Sequence, residues 1–192
     1  MGGEGGAGDT GSVKPRRGRM RGFTLIELMI TIAVLAIILA IAIPNVEIWM
    51  VRARIQSAAG RLQQDINWAK GYAIRSGYPV NVSVQGGGNT CAWTISPTAT
   101  GVLQNVPGMT ATQYANQYQN TPCTILTSGT FSVTPTGMVQ NPTGTITSAN
   151  VEFQAGGNNP AEYGYWLIQV GGAGDVRSCA TASAQSTQCN LQ

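Results

Sequence analysis

Histidine is missing from the chain. Its absence removes the commonest general base near neutral pH, and the commonest neutral metal ligand, from every catalytic scheme. An excess of charge is also lacking over most of the sequence. The formal +3 is carried by residues 1–22, where Lys14, Arg16, Arg17, Arg19 and Arg21 outnumber Glu4 and Asp9; from Phe23 onward six basic residues meet six acidic ones. A polyanionic partner cannot be inferred from such a balance. Cysteine is limited to Cys91, Cys123, Cys179 and Cys189, with none of the Cys-x-x-Cys spacing that zinc sites need. No nucleophile has a plausible base beside it, and Gly86-Gly87-Gly88 lacks the lysine and following helix of a phosphate loop. The acids Glu152, Glu162 and Asp175 are scattered and are expected to face solvent. The sequence therefore assigns no catalytic residue, no metal and no cofactor, and an enzyme is not the expected reading.

What the chain does contain is a long apolar run. At 192 residues and 20.1 kDa there is room for one globular domain and a membrane segment. Phe23 to Ile43 spans 21 residues, a helix of roughly 31 Å, about the thickness of bilayer hydrocarbon. The basic cluster before it is expected to stay cytoplasmic, which sends the C-terminal bulk across the membrane. All four cysteines lie in that bulk, where an oxidising compartment favours disulfides. Three pairings are open; the preferred one joins nearest neighbours in sequence, Cys91 with Cys123 and Cys179 with Cys189. A cleaved secretory signal ending at Ala40-Ile41-Ala42 is the rival, but the run exceeds the usual ~7 to 15 apolar residues of such a core. Within the run sits one carboxylate, Glu27. A charge at mid-membrane costs on the order of 2.5 to 3.5 kcal/mol, so Glu27 is a functional candidate in need of a partner. The alternative, a Glu27 close enough to the cytoplasmic face to snorkel into headgroups, ranks second because no basic residue lies within the run to pair with it.

Gly22 followed by Phe23-Thr24-Leu25-Ile26-Glu27-Leu28, with basic residues before and Pro44 near the end of the apolar stretch, resembles the type IV pilin signature. The resemblance implies a leader over residues 1–22, cleavage after Gly22 by a prepilin peptidase, and N-methylation of Phe23. It also implies that Glu27 is the assembly residue, paired with the amino terminus of a neighbouring subunit. An α-amine with a reference pKa of about 7.7 to 8.0 is largely protonated at neutral pH and supplies the missing cation. The leader is long and Gly-rich (MGGEGGAGDTGSV), and Met20 is an alternative start.

Beyond Pro44, where a helix kink is expected, Ile48, Val51, Ile55, Ala58, Leu62, Ile66, Ala69 and Ala73 recur at helical spacing up to about Ser76. Gly77 and Pro79 end that helix. Period-two alternation follows at Val80-Val82-Val84 and at Val151-Phe153, marking half-buried strands. Tyr165 to Val170 reads as a central strand, with weaker candidates at Cys91–Ile95, Thr130–Val133 and Asp175–Ala180. Residues 107–122 are polar and are expected to form a surface excursion. The fold class is α+β: a long N-terminal helix, membrane half plus amphipathic half, packed on a mostly antiparallel sheet. The divisions are residues 1–22, 23–43, 44–77 and a disulfide-braced periplasmic head over 78–192.

Asn67-Trp68-Ala69-Lys70-Gly71-Tyr72-Ala73-Ile74-Arg75, leading into the Pro79-Val80 strand, is similar to minor pilins and pseudopilins of the FimT/GspH type. That resemblance implies other pilins or pseudopilins, the prepilin peptidase and inner-membrane lipid as partners, in a type IV pilus or type II secretion pseudopilus. A DNA-binding pilin is the alternative, with Arg177, Arg61 and Arg75 as contacts beside Arg54, Trp68 and Tyr72. It ranks lower, because Arg61 and Asp65 are an i,i+4 pair of opposite sign and Arg177 is the single basic residue after Pro79. DNA-binding members carry Gly-Arg-x-Arg where this chain has Gly174-Asp175-Val176-Arg177. The other alternative is an anchored periplasmic binding protein that never polymerises.

Overall fold

Helix α1 (Leu25–Ser76) begins where Thr24 accepts a hydrogen bond from the Glu27 backbone N–H at 3.2 Å. It ends at Gly77, whose φ of +73° suits glycine and whose N–H closes the last turn on the Ala73 carbonyl at 3.1 Å. The computed structural model describes residues 22–98, 105–157 and 159–189, the side chains of residues 42–45 excepted. Expectations for residues 1–21, and for the Pro44 side chain, lie outside the described residues. The chain divides into two units, Met1–Ala42 and Ile43–Gln192, and α1 contributes to both.

In the second unit the predicted helical stripe is buried from Ile55 onward. Ile55, Ala58, Leu62, Ile66, Ala69 and Ala73 are each at most 2% exposed, whereas Ile48 and Val51 are half-buried. Alanine at three of these positions lets the helix axis approach the sheets closely. Fully burying one of the large aliphatics on this stripe contributes about 1.5–3 kcal/mol.

Two antiparallel sheets complete the core. The first has the order β3-β2-β1-β5-β6, from β1 (Val80–Gly87), β2 (Thr90–Pro97), β3 (Gly108–Met109), β5 (Thr130–Val133) and β6 (Val139–Gln140). The second has the order β4-β7-β8-β9, from β4 (Cys123–Ile125), β7 (Ala149–Gln154), β8 (Tyr165–Val170) and β9 (Val176–Thr181). Tyr165–Val170 is thus an inner strand, flanked by β7 and β9. The architecture is the expected α+β one, a helix packed on antiparallel sheets. Cys91 is joined to Cys123, which ties β2 of the first sheet to β4 of the second, and Cys179 is joined to Cys189, which folds the C-terminal loop back on β9.

Two expectations need correction. Residues 107–122 are not a surface excursion: they form β3 and helix α2 (Ala111–Gln117), started by a capping box between Thr110 and Gln113. Their apolar mass comes from tyrosines rather than aliphatics. Tyr114 and Tyr118, one helical turn apart, are buried, and the Tyr114 hydroxyl is satisfied by donating to the Thr121 carbonyl at 2.5 Å. Burial pushes the pKa of that hydroxyl up. The second correction concerns β7, which is not half-buried: Asn150 and Glu152 are enclosed along with Val151 and Phe153.

Helix and first sheet are also joined by a buried polar contact. Asp65, 4% exposed, accepts from the Trp93 indole N–H at 2.7 Å and pairs with Arg61 at 3.4 Å. Trp93 in turn meets Tyr114 edge-on, with centroids 6.0 Å apart. Asp65→Ala strands the indole N–H, and we expect a loss of about 2 kcal/mol. A lowered urea midpoint at unchanged slope would register it.

Candidate assembly surface

From Phe23 to Ile41 every described side chain is exposed, including Phe23 and Leu25 at 78% each. Three of them are polar. Thr24 caps the helix, and Thr31 donates to the Leu28 carbonyl at 2.8 Å, so both are satisfied by their own backbone. Glu27 is left as the one polar side chain among described residues 22–41 whose carboxylate has neither a hydrogen-bond nor an ion-pair partner. Thr24 was not singled out in the sequence, although Thr24-Leu25-Ile26-Glu27 has the capping-box spacing. A first-turn acid also complements the helix dipole, but that contributes only about 0.3–1 kcal/mol. It falls short of the cost of on the order of 2.5 to 3.5 kcal/mol that a charge meets at mid-membrane, a cost that shrinks towards the helix ends.

No single helix among the described residues is both long and apolar enough to cross a membrane. Leu25–Ile41 and Val46–Ser76 pass together by length and composition. Leu25–Ile41 alone rises about 26 Å, at the short end of spanning lengths.

The outer face of the second sheet is covered by the loop that the Cys179–Cys189 bond closes. Gln185 donates its backbone N–H to Glu152 Oε2 at 2.8 Å. Asn150 Nδ2 and Gln169 Nε2 both donate to the Thr187 carbonyl, at 3.1 and 2.9 Å. Glu152, expected in solvent, is therefore 1% exposed and acts as a clamp for this loop. Burial raises its carboxyl pKa above the ordinary value, against the opposing pull of the Gln185 and Ser186 N–H groups. The folded chain thus holds this proton to higher pH than the unfolded chain does. The stability it contributes is full below the unfolded carboxyl pKa of about 4.3 and is lost as pH rises through the folded value. Glu152→Gln keeps an acceptor for Gln185 and removes the titration. In urea denaturation it should match the parent near pH 4 and exceed it at pH 7.

The basic residues considered for DNA are dispersed. Arg61 is paired with Asp65, Arg177 with Asp175 at 3.1 Å, and Arg54 donates to the Gln119 carbonyl at 3.1 Å. Arg75 is exposed near the end of α1. Trp68 and Tyr72 stack on each other at 5.3 Å and pack on the core.

An exposed apolar helix opening on a Gly-Phe junction with an unpartnered fifth-position acid, followed by an amphipathic helix on antiparallel sheets, defines the type IV pilin-like class. Residues 17–43 match the prokaryotic N-terminal methylation motif. Residues 58–174, more than half the chain, match the type II transport protein GspH, and the chain belongs to that family of minor pilins and pseudopilins. No curated protein sequence matches it. Among solved structures, the type IV minor pilin FimU of Pseudomonas aeruginosa (strain PAO1) is similar in two crystal forms. One has a TM-score of 0.47 at 14% identity, covering 67% of this chain and 98% of that one; the other has 0.45 at 15%, covering 69% and 96%. The minor pseudopilin EpsH from the type 2 secretion system of Vibrio cholerae gives 0.47 at 11% identity, covering 68% of this chain and 99% of that chain.

Proposed function

We propose that the chain is made as a precursor, cut by a prepilin peptidase between Gly22 and Phe23, methylated at Phe23, and built into or used to prime a type IV pilus or type II secretion pseudopilus. Residues 1–22 are then the leader. Residues 23–43 anchor the protein in the inner membrane and later pack among neighbouring helices. The amphipathic helix over 44–77 and the head over 78–192 lie in the periplasm, and Pro44 kinks the helix where the two halves meet. The protein works by binding and geometry, not by catalysis.

One observation carries this reading: Glu27 is an acid without a partner in an apolar helix that is exposed along its described length. Thr24 and Thr31 meet their polar needs within the chain; Glu27 does not. A charge placed in lipid with no partner in its own helix is tolerable when a second polypeptide brings the cation. Mass spectrometry of the natural product tests the proposal. A methylated Phe23 terminus is expected; an uncut chain, or one trimmed at Ala42 and released, defeats it.

The DNA-uptake alternative has less support, because Arg61 and Arg177 each have an acid as ion-pair partner. Phosphate neutralisation needs several free cations on one face.

A further inference from the structure

A cleft of about 610 Å³ opens in the second unit between the helix and the adjoining ends of β8 and β9, with Trp49, Arg52, Ile55, Tyr163, Trp166 and Thr181 in its lining. Its walls are largely aromatic and aliphatic, and its one cation is Arg52. Arg52 donates to the Glu162 backbone carbonyl at 3.1 Å, whereas the Glu162 carboxylate accepts from Asn159 at 3.4 Å. Among the described residues the ion pairs are Arg61–Asp65 and Arg177–Asp175, so Arg52 has no carboxylate partner. An aromatic cleft holding an uncompensated guanidinium suits an apolar surface that carries a carboxylate.

The chain itself presents such a surface. Glu47 is exposed and without a basic partner among the described residues, and Val46 and Met50 beside it are 50% and 47% exposed. At 3.6 residues per turn, Glu47 and Arg52 lie roughly 140° apart around the helix and about 7.5 Å apart along it, so they do not meet within one chain. Met50 falls about 60° from Glu47 on one side, while Trp49 and Arg52 lie on the opposite half of the helix. The Glu47 and Arg52 side chains thus leave the helix in different directions, although Val46, about 20° around from the cleft-lining Ala53, borders the cleft. Complementary surfaces so disposed join copies head to tail, a contact that propagates rather than closing as a two-fold dimer.

We propose that the cleft seats the Glu47-Met50 side of the helix of a second copy of this chain, with Arg52 of one copy paired to Glu47 of the next. The contact rests on the assembly reading above and adds to it a specific lateral site where the amphipathic helix meets β8 and β9, with an axial stagger of about 7.5 Å between copies.

The test uses the full chain with Arg52→Lys, reconstituted in phosphatidylethanolamine/phosphatidylglycerol vesicles as an equal mixture of isotopically light and heavy copies. A zero-length carbodiimide couples an amine to a carboxylate already in contact with it. A link from Glu47 of one copy to the amine introduced at position 52 of another, joining light and heavy chains, is expected at least tenfold above the same preparation carrying Glu47→Gln. In the parent chain, Glu47→Arg or Arg52→Glu alone should reduce association of tagged with untagged copies about tenfold, and the two together should restore it. An amine at position 52 that links only within its own copy or to another carboxylate, or charge reversals without effect, overturns the contact. The amino terminus is checked by mass spectrometry on chain recovered from cells. A processed, filament-borne protein lacking the link between positions 47 and 52 sinks the contact alone, and an unprocessed chain sinks both readings.

Discussion

Replacing Cys91 and Cys123 by alanine is expected to lower the free energy of unfolding of the full chain in detergent by about 3 to 4 kcal/mol. The bond spans 32 residues, and in the chain-entropy treatment closing a loop of that length restricts the unfolded ensemble by roughly 3.7 kcal/mol at 25 °C. Its position decides which parts of the fold come apart. Cys91 lies on β2 and Cys123 on β4, so the bond is the covalent tie between the two sheets, and both residues are at most 3% exposed. Losing the sulfurs also opens a small void between the sheets. The urea midpoint should fall markedly, and different probes should cease to coincide, because the sheets are then coupled only by packing and by the helix they share. The Cys179–Cys189 bond closes 10 residues over one face of one sheet, so its loss should loosen the C-terminal loop with a smaller change in midpoint. Equal effects for the two pairs would argue against a sheet-coupling role for the first.

How legible the fold was depends on whether the signal is local. The stripe from Ile55 to Ala73 and the strands at Val80–Gly87 and Tyr165–Val170 show their periodicity within a few residues of themselves, and they occupy the core. Helix α2 is hard to read because its burial rests on Tyr114, with Tyr118 just past its end, in a polar segment. Whether a tyrosine faces water or a core depends on a partner for its hydroxyl, here the Thr121 carbonyl. Strand β7 misleads for a non-local reason. Its pattern has one apolar face, and nothing near Glu152 in sequence shows that residues 185–187 return to cover the other. Asp65 was legible as the partner of Arg61 but not as the acceptor for Trp93, 28 positions away. For the candidate site the Gly22-Phe23-Glu27 spacing was visible at once, being contiguous. The Arg52 cleft was invisible, because its walls come from three separated stretches of chain.

Glu27→Leu should reduce the amount of chain found in sheared filaments or pseudopili by more than tenfold, with the total cellular amount unchanged or higher. The sign of each half follows from opposed energies. Leucine removes a carboxylate from the first turn of the helix, where insertion costs less than the order of 2.5 to 3.5 kcal/mol met at mid-membrane but still opposes entry, so residence of the monomer in the membrane becomes easier. It gives up about 0.3–1 kcal/mol at the helix N-terminus, too little to unfold a segment that is otherwise continuous aliphatic helix. If Glu27 acted only as part of the helix start with Thr24, assembly would change by no more than that small amount, a factor of about two to five. A contact with a neighbour's α-amine in lipid behaves differently, since removing one partner leaves the other charge buried and unpaired, at a cost of about 3–5 kcal/mol. The asymmetry between residence and incorporation is therefore diagnostic. Glu27→Gln, which keeps a hydrogen-bond acceptor but no charge, should fall between the parent and Glu27→Leu. Quantitative immunoblots of the membrane and sheared fractions separate the two accounts: parent-level incorporation of Glu27→Leu leaves the carboxylate a helix-start residue and removes the electrostatic basis for assembly.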